Sequence, residues 1–162
     1  MEHLLTWTKG IFDNSYQLFQ NGVIKGNLIF DTWKNEARTL FKEGNLIINS
    51  QGFFESNNYI YNDKGELLGT ITFETWKAKA TVTLKNGEQF YFNFTNGWYT
   101  KWEIGDLKGK QAIYDSDTSS GRISSNTDDQ MMLISGLFIR EYFTRRLLAL
   151  VIFLVIFIPI IS

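Results

Sequence analysis

The chain has 162 residues, of which 44% are hydrophobic, so it has the size of one domain and enough apolar material for a core. Sixteen basic and seventeen acidic residues give a net charge of −1, which argues against nucleic acid as a partner, since no general positive field would attract it. The absence of cysteine excludes disulfides, thiolate metal sites and cysteine nucleophiles. The opening sequence MEHLLTWTKG has neither a basic leader nor a long apolar run, so we expect it not to be a secretory signal.

The first organised feature is an internal repeat. The stretch NGVIKGNLIFDTWKNEARTLFKEG (21–44) returns as KGELLGTITFETWKAKATVTLKNG (64–87), a shift of 43 residues that superimposes both T-W-K triplets and the flanking glycines. A third, weaker copy begins near Gly97 in NGWYTKWEI. The sequence therefore predicts three units of about 43 residues over positions 9–126.

Each unit has the period of a half-buried β-strand. In QFYFNF the side chains of Phe90, Phe92 and Phe94 alternate with Tyr91 and Asn93. The breaks between such segments are turn dipeptides of the type Asn-Gly and Lys-Gly, which supply the positive φ of tight hairpins. Four antiparallel strands per unit predict a mainly β protein of about twelve strands.

We expect the twelve strands to form a closed antiparallel barrel. Propeller blades have a similar repeat length, but propellers usually need at least four blades and have no use for an apolar helix. A closed barrel of twelve strands would leave a lumen wider than the eight-stranded kind that side chains can fill. An additional apolar segment is therefore expected inside it.

An apolar helix is predicted directly after the last strand, over residues 128–143. Thr127 and Gln130 have capping-box spacing, and Asp128 and Asp129 would lie in the first turn. From Met131 to Ile139 the segment is apolar on every side, which is typical of a helix surrounded by protein or lipid. The predicted organisation is a barrel domain over 1–144, with this helix at its centre, and a hydrophobic membrane tail over 145–162.

Three four-strand units followed by DDQMMLISGLFIREYFTRR resemble the tubby-like barrel superfamily, which includes tubby C-terminal domains, phospholipid scramblases and LURP-one-related proteins. The resemblance covers about residues 4–143 and is one of architecture. It implies a twelve-stranded barrel around a hydrophobic helix and, by analogy, a function at membranes. Small bacterial membrane-tailed proteins of unknown function are similar in their T-W-K repeat and apolar tail.

The C-terminal run Leu147–Ile161 predicts a membrane-embedded tail. It is about 15 residues long, shorter than the usual 20 of a span, although Tyr142, Phe143 and the arginines could extend it. We expect Arg140, Glu141, Arg145 and Arg146 to form a charged collar at the barrel mouth. Arg145 and Arg146 on the N-terminal side of the tail predict a barrel in the cytoplasm. The alternative is that residues 147–161 fill the barrel while 128–143 lie outside.

The candidate lipid-headgroup residues are Trp33, Lys34, Trp76, Lys77, Arg145 and Arg146. Tryptophan beside lysine is typical of the headgroup level of a membrane, where the partner could be an anionic phospholipid. The structural alternative is that Trp33 and Trp76 are the equivalent corners of two repeats, where an aromatic residue closes the end of a hairpin. No phosphoinositide motif of the resembling family can be matched residue by residue.

The sequence contains few residues that could carry out catalysis. The only histidine is His3, near the terminus, and no catalytic, cofactor-binding or metal-binding residue is predicted. Asp115, Asp117 and Ser119 have calcium-loop spacing, but the glycine is one position late and Asn126 stands where a glutamate belongs. We expect a non-enzymatic membrane-associated barrel that binds lipid as a scaffold; the alternative is a scramblase-like phospholipid transporter between leaflets.

Overall fold

The structure is a computed structural model that describes residues 2–10, 13–31, 33–50 and 56–161, the last four by their main chain alone. Twelve β-strands are followed by one α-helix. The strands are β1 (His3–Lys9), β2 (Ser15–Gln20), β3 (Val23–Asp31), β4 (Glu36–Phe41), β5 (Leu46–Ser50), β6 (Asn57–Asn62), β7 (Leu67–Glu74), β8 (Lys79–Leu84), β9 (Gln89–Phe94), β10 (Lys101–Gly105), β11 (Gln111–Ser116) and β12 (Ser120–Ser125); the helix is α1 (Gln130–Ile161).

The strands form a closed antiparallel barrel. Each strand pairs with the next along the chain, and β1 closes the sheet by pairing with β12, for example Leu5 with Ile123. Closure leaves no unpaired sheet edge. The predicted mainly β class and the closed barrel of twelve strands are therefore confirmed.

The barrel wall has an apolar inner face, as the alternating sequence predicts. In β9, Phe90 and Phe92 are fully buried, whereas Tyr91 between them is exposed. The largest buried side chains of the wall are aromatic or branched aliphatic: Trp7, Tyr16, Trp102, Tyr114, Leu18, Leu28, Ile48, Ile60, Ile71 and Ile104. Burial of this surface is the main favourable contribution to folding.

Tight turns between strands use the residues that the sequence indicated. Asn21 and Gly22 join β2 to β3 with φ of 52° and 75°. Two successive positive φ values match the right-handed twist of a hairpin, and asparagine followed by glycine adopts them most readily.

Two hairpins share the same register. Phe30 of β3 pairs with Ala37 of β4, and 43 residues further on Phe73 of β7 pairs with Ala80 of β8. The strand before each hairpin also carries a register irregularity, one between β2 and β3 and one between β6 and β7. The strand pairing therefore follows the sequence similarity between residues 21–44 and 64–87.

The helix begins two residues later than predicted, and Thr127 is not its cap. The Asp129 carboxylate accepts a hydrogen bond from the Met132 amide at 3.1 Å, which makes Asp129 the capping residue. Thr127 instead belongs to the turn that leaves β12, because the Ser125 hydroxyl donates to its carbonyl at 2.7 Å. The capping-box spacing alone could not predict that the Ser125 hydroxyl would bind the Thr127 carbonyl.

The helix continues without interruption to Ile161, so the predicted core helix and tail belong to one element. Side chains from Met132 to Ile139 are buried, whereas those from Leu147 to Phe157 are exposed, apart from the half-buried Ala149. The alternative in which residues 147–161 fill the barrel is therefore wrong for residues 147–157. Within the described residues, no helix is both long and apolar enough to cross a membrane.

Candidate lipid-binding rim and cleft

The buried part of α1 contacts aromatic residues from three separate strands. Phe138 stacks on Phe30 of β3, with ring centroids 5.7 Å apart. Tyr142 stacks on Phe73 of β7 at 3.8 Å, and the next residue, Phe143, stacks on Phe92 of β9 at 6.2 Å. These contacts hold the helix at the end of the barrel from which its exposed part emerges.

A buried carboxylate, Glu141, lies on the helix between Phe138 and Tyr142. It accepts hydrogen bonds from Lys9 Nζ at 2.7 Å, from the Tyr16 hydroxyl at 2.6 Å and from Arg145 Nε at 2.9 Å. Arg140 Nη1 also donates to the Tyr16 hydroxyl, at 3.1 Å. The network joins β1 and β2 to the helix.

The environment of Glu141 favours its charged form. Burial raises the pKa of the Glu141 carboxyl, but the hydrogen bonds from Lys9, Tyr16 and Arg145 outweigh burial and hold the pKa below its ordinary value of 4.5. For Tyr16, burial and the adjacent Glu141 charge raise the phenol pKa far above its ordinary value. The pair is therefore a carboxylate accepting a hydrogen bond from a neutral phenol.

The predicted charged collar is thus only half exposed to solvent. The Arg140 guanidinium lies over the rings of Trp7 and Trp102, 5.9 and 5.5 Å from their centroids, and the Glu141 side chain is also buried. Arg140 and Glu141 are therefore the buried part of the charged group at the barrel mouth. They tolerate burial because opposite charges, a phenol and two aromatic faces replace water around them.

Strand order decides which connections share an end of the barrel. In a closed antiparallel meander every connection after an odd-numbered strand lies at one end, and every connection after an even-numbered strand lies at the other. Arg145 Nη2 donates to Asn14 in the β1–β2 connection at 3.3 Å, so the exposed helix emerges at the first of these ends. We call its described connecting residues the tail-side rim: 10, 13–14, 33–35, 56, 75–78, 95–100 and 117–119.

Three exposed tryptophans lie on the tail-side rim. Trp33, Trp76 and Trp98 are 97%, 102% and 87% exposed, whereas Trp7 and Trp102 are fully buried. Trp33 and Trp76 lie at equivalent hairpin corners, but neither ring packs against its hairpin. Three unpacked indoles on one rim are a large amount of apolar surface to leave in water.

Side-chain hydrogen bonds to the main chain stabilise two of the rim turns that carry tryptophans. In the β3–β4 connection the Asp31 carboxylate accepts the amides of Trp33 and Lys34 at 3.0 and 3.1 Å. In the β9–β10 connection the Asn96 side chain accepts the amides of Thr100 and Lys101, both at 3.1 Å. Side chains that bind the main chain in this way stabilise the turns without using the tryptophans.

The predicted lysines have carboxylate neighbours. Lys34 Nζ lies 4.0 Å from Asp31, and Lys77 Nζ donates to Glu74 at 2.8 Å, a hydrogen bond that raises the pKa of Lys77. Both amines are well exposed, at 66% and 70% of their side-chain surface. Each T-W-K corner therefore has a nearby negative charge, which weakens it as a site for an anion alone.

Arg145 and Arg146 lie where the helix leaves the barrel, and they line a cleft of about 540 Å³. Arg146 donates to the Tyr142 hydroxyl at 2.7 Å. The barrel side of the cleft is formed by rim and wall residues, and the helix side continues onto the exposed apolar helix through Leu148 and Ile152. The structure thus brings the two arginines together beside an apolar surface.

Asn58 of β6 also lines this cleft and is fully buried. Neither its amide nitrogen nor its amide oxygen has a hydrogen-bond partner among the described residues. A buried amide without partners is costly, because its hydrogen bonds to water have been lost without replacement. Sequence reasoning missed both Asn58 and Trp98, although the alignment of NGWYTKWEI with the other repeat units was a signal for a third turn.

The remaining candidates have structural positions. Asp115 of β11 pairs with Lys101 of β10 at 3.1 Å on the barrel wall, and Ser119 accepts the Lys9 amide through its carbonyl at 2.7 Å. These residues therefore belong to the β11–β12 hairpin and not to a calcium loop. His3 begins β1 at the opposite end from the tail-side rim.

No protein family, no characterised protein and no solved structure was found to match this chain significantly.

Proposed function

We propose that this protein is a non-enzymatic membrane-associated barrel that attaches to a lipid surface by its tail-side rim. The exposed end of α1 would be embedded in the bilayer, the three rim tryptophans would lie at the headgroup level, and the barrel would remain in the cytoplasm. The observation that carries the proposal is that an exposed apolar helix and three exposed indoles occupy the same end of one barrel.

The energetics favour lipid over water for the exposed helix. Ten large apolar side chains between Leu147 and Phe157 are 42–68% exposed, and they lie on all sides of the helix. Fully burying one such side chain contributes roughly 1.5–3 kcal/mol. A segment of about 15 residues is roughly 22 Å long, which suits insertion into the bilayer with flanking tryptophans and arginines at its surface.

Indoles and arginines are the side chains expected at such an interface. Tryptophan is enriched at the headgroup level because its ring is apolar and its N–H is polar. Arg145 and Arg146 immediately precede the apolar segment, where they can reach phosphate oxygens. Lys34 and Lys77 remain candidates for the same headgroup layer, beside Trp33 and Trp76.

We also propose that the architecture is tubby-like, with three four-strand units around the buried part of α1. The shared register of the β3–β4 and β7–β8 hairpins supports the repeat. Contacts from Phe138, Tyr142 and Phe143 to three different strands support a helix inside the barrel. The Asp129 ion pair with Lys110 at the opposite end, 3.0 Å long, supports a helix that runs from one rim to the other.

Flotation of the full-length chain on phospholipid vesicles tests the proposal. We expect the wild type to float and a Leu150→Asp, Val155→Asp variant to remain in solution, because each aspartate costs about 3 kcal/mol in hydrocarbon. The matched control is Val23→Asp, since Val23 is 64% exposed at the opposite end of the barrel. Equal flotation of all three proteins would refute attachment by the tail. The alternative function, leaflet exchange, is tested with fluorescent lipid in the same vesicles. If dithionite quenches the lipid of the inner leaflet only when the wild type is present, leaflet exchange would be identified.

A further inference from the structure

We propose that the cleft beside Arg145 and Arg146 holds the headgroup of one zwitterionic aminophospholipid, phosphatidylethanolamine, whose acyl chains lie along the exposed helix. This inference rests on the proposed function, because it takes a membrane lipid as the ligand. It adds a stoichiometric site and a lipid class to what would otherwise be general surface attachment.

The charges of the cleft suit a zwitterion better than an anion. Its formally charged residues are three cations and four carboxylates: Lys9, Arg145, Arg146, Asp13, Asp31, Glu36 and Glu141. Two of the carboxylates also have cations beside them outside the lining, Arg38 at Glu36 and Lys34 at Asp31, so the site carries both signs of charge in nearly equal number. A headgroup that carries both an ammonium and a phosphate can match both kinds of charge.

Apart from the Lys9–Glu141 ion pair, carboxylates and arginines lie on different walls. Asp31 and Glu36 belong to the ends of β3 and β4 on the barrel side, whereas Arg145 and Arg146 belong to the helix. An ammonium directed to the carboxylates would leave the phosphate next to the guanidinium groups, which bind phosphate strongly. Charge complementarity therefore gives the headgroup one orientation.

Asn58 supplies the second, independent observation. Among the described residues, neither the donor nor the acceptor of its fully buried amide has a partner, and the cleft that it lines also contains Phe30 and Phe138. A primary ammonium can donate to the amide oxygen and a phosphate oxygen can accept from the amide nitrogen. Phosphatidylcholine lacks the ammonium hydrogens, and phosphatidylglycerol lacks the positive charge.

The apolar continuation of the cleft accounts for the lipid chains. Leu148, Ala149 and Ile152 extend its helix side onto the exposed part of α1. A cavity of about 540 Å³ is within the roughly 300–1,000 Å³ of small-molecule sites, and here one end is open toward the tail. A headgroup in the cleft would thus be bound by the barrel while its chains remain with the membrane-embedded helix.

Native mass spectrometry of the full-length chain tests the inference. The protein is prepared in dodecyl maltoside micelles doped with equal amounts of phosphatidylethanolamine, phosphatidylcholine and phosphatidylglycerol. We expect one retained lipid per chain, with phosphatidylethanolamine about tenfold preferred, the effect of one hydrogen bond to a charged group. Retention of the three lipids in equal amounts, or of none, would overturn the inference.

Variants link the preference to the cleft. Asn58→Leu is expected to abolish the preference for phosphatidylethanolamine and, in lipid-free micelles, to raise the melting temperature by a few degrees, because the unpartnered amide is removed. Arg146→Gln provides a second variant should Asn58→Leu not fold, and it is expected to reduce phospholipid retention. The control is Arg122→Gln on the outer wall, where Arg122 is exposed. An unchanged preference in the folded cleft variants would contradict the inference.

The outcome is separable from that of the proposed function. Flotation on vesicles of phosphatidylcholine alone, without selective retention in micelles, would uphold surface attachment and reject the site. Selective retention without flotation would uphold the site and reject attachment by the tail.

Discussion

The ring of Tyr114 occupies the space where a side chain at Gly136 would project. A Cβ added at Gly136 would lie 2.6 Å from Tyr114 Cζ, and the same tyrosine donates its hydroxyl proton to the Leu133 carbonyl at 2.9 Å. The Tyr114 ring therefore packs directly against the main chain of the helix at this point. Glycine inside a helix is unfavourable by itself, so close packing explains its presence.

Gly136→Ala is expected to destabilise the protein by about 2 kcal/mol, although alanine is the better helix former. Tyr114 cannot readily move away, because it is stacked on Trp102 with centroids 5.0 Å apart. Urea unfolding of the full-length chain in detergent measures the change. Gly97→Ala is the control, since a Cβ at Gly97 meets nothing within 4 Å. Stabilisation by Gly136→Ala would contradict this packing.

Glu141→Gln is expected to cost about 3 kcal/mol at neutral pH, at the lower end for a broken buried ion pair, because Lys9 and Arg145 retain partial contact with solvent. Free energies of unfolding from denaturant titrations measure this. Glu74→Gln, at an exposed ion pair, is the control and should have no measurable effect.

The same carboxylate predicts a pH dependence. Since the folded pKa of Glu141 is held below its ordinary value of 4.5, its contribution to stability is present above that pH and is lost as pH falls through the lower folded value. The wild type should therefore lose stability in acid more steeply than Glu141→Gln. Parallel stability curves for the two proteins between neutral and acid pH would contradict the linkage.

Two tyrosines are expected to resist ionisation in the folded protein. Burial raises the pKa of Tyr114, and burial together with the Glu141 charge raises the pKa of Tyr16, both far above the ordinary value of 10.0. Their contribution to stability is present below that pH and is lost as pH rises above it. In an alkaline absorbance titration, Tyr16 and Tyr114 of the folded chain should therefore stay neutral at a pH at which they ionise in urea. Ionisation of all seven tyrosines before unfolding would refute this.

Tryptophan fluorescence is expected to locate the tail-side rim at the membrane. Trp33, Trp76 and Trp98 should shift their emission to shorter wavelength on vesicles and be quenched by lipids brominated near the headgroup. A variant with all three replaced by phenylalanine should show neither change, because Trp7 and Trp102 are already buried. The Leu150→Asp, Val155→Asp variant serves as the unbound reference. Quenching of the triple variant would place other tryptophans at the interface.

The sequence by itself determined the strands and turns, since alternation of apolar residues and glycine-containing turn dipeptides are local properties. The sequence also showed that Leu147–Ile161 is apolar. It showed that Trp33 and Trp76 occupy equivalent positions in two repeat units. Local patterns have a physical basis in the pleat of a strand and the φ preference of glycine.

Only the tertiary structure decided how distant residues meet. Lys9 and Glu141 are separated by 132 positions, and no local pattern pairs them. Antiparallel pairing of each strand with the next puts Trp98 on the rim of Trp33 and Trp76. In the cleft beside Arg145, Asn58 has no side-chain partner among the described residues. Hydrogen-bond register around a closed sheet is a global constraint, so it sets these neighbours by geometry that single segments do not contain.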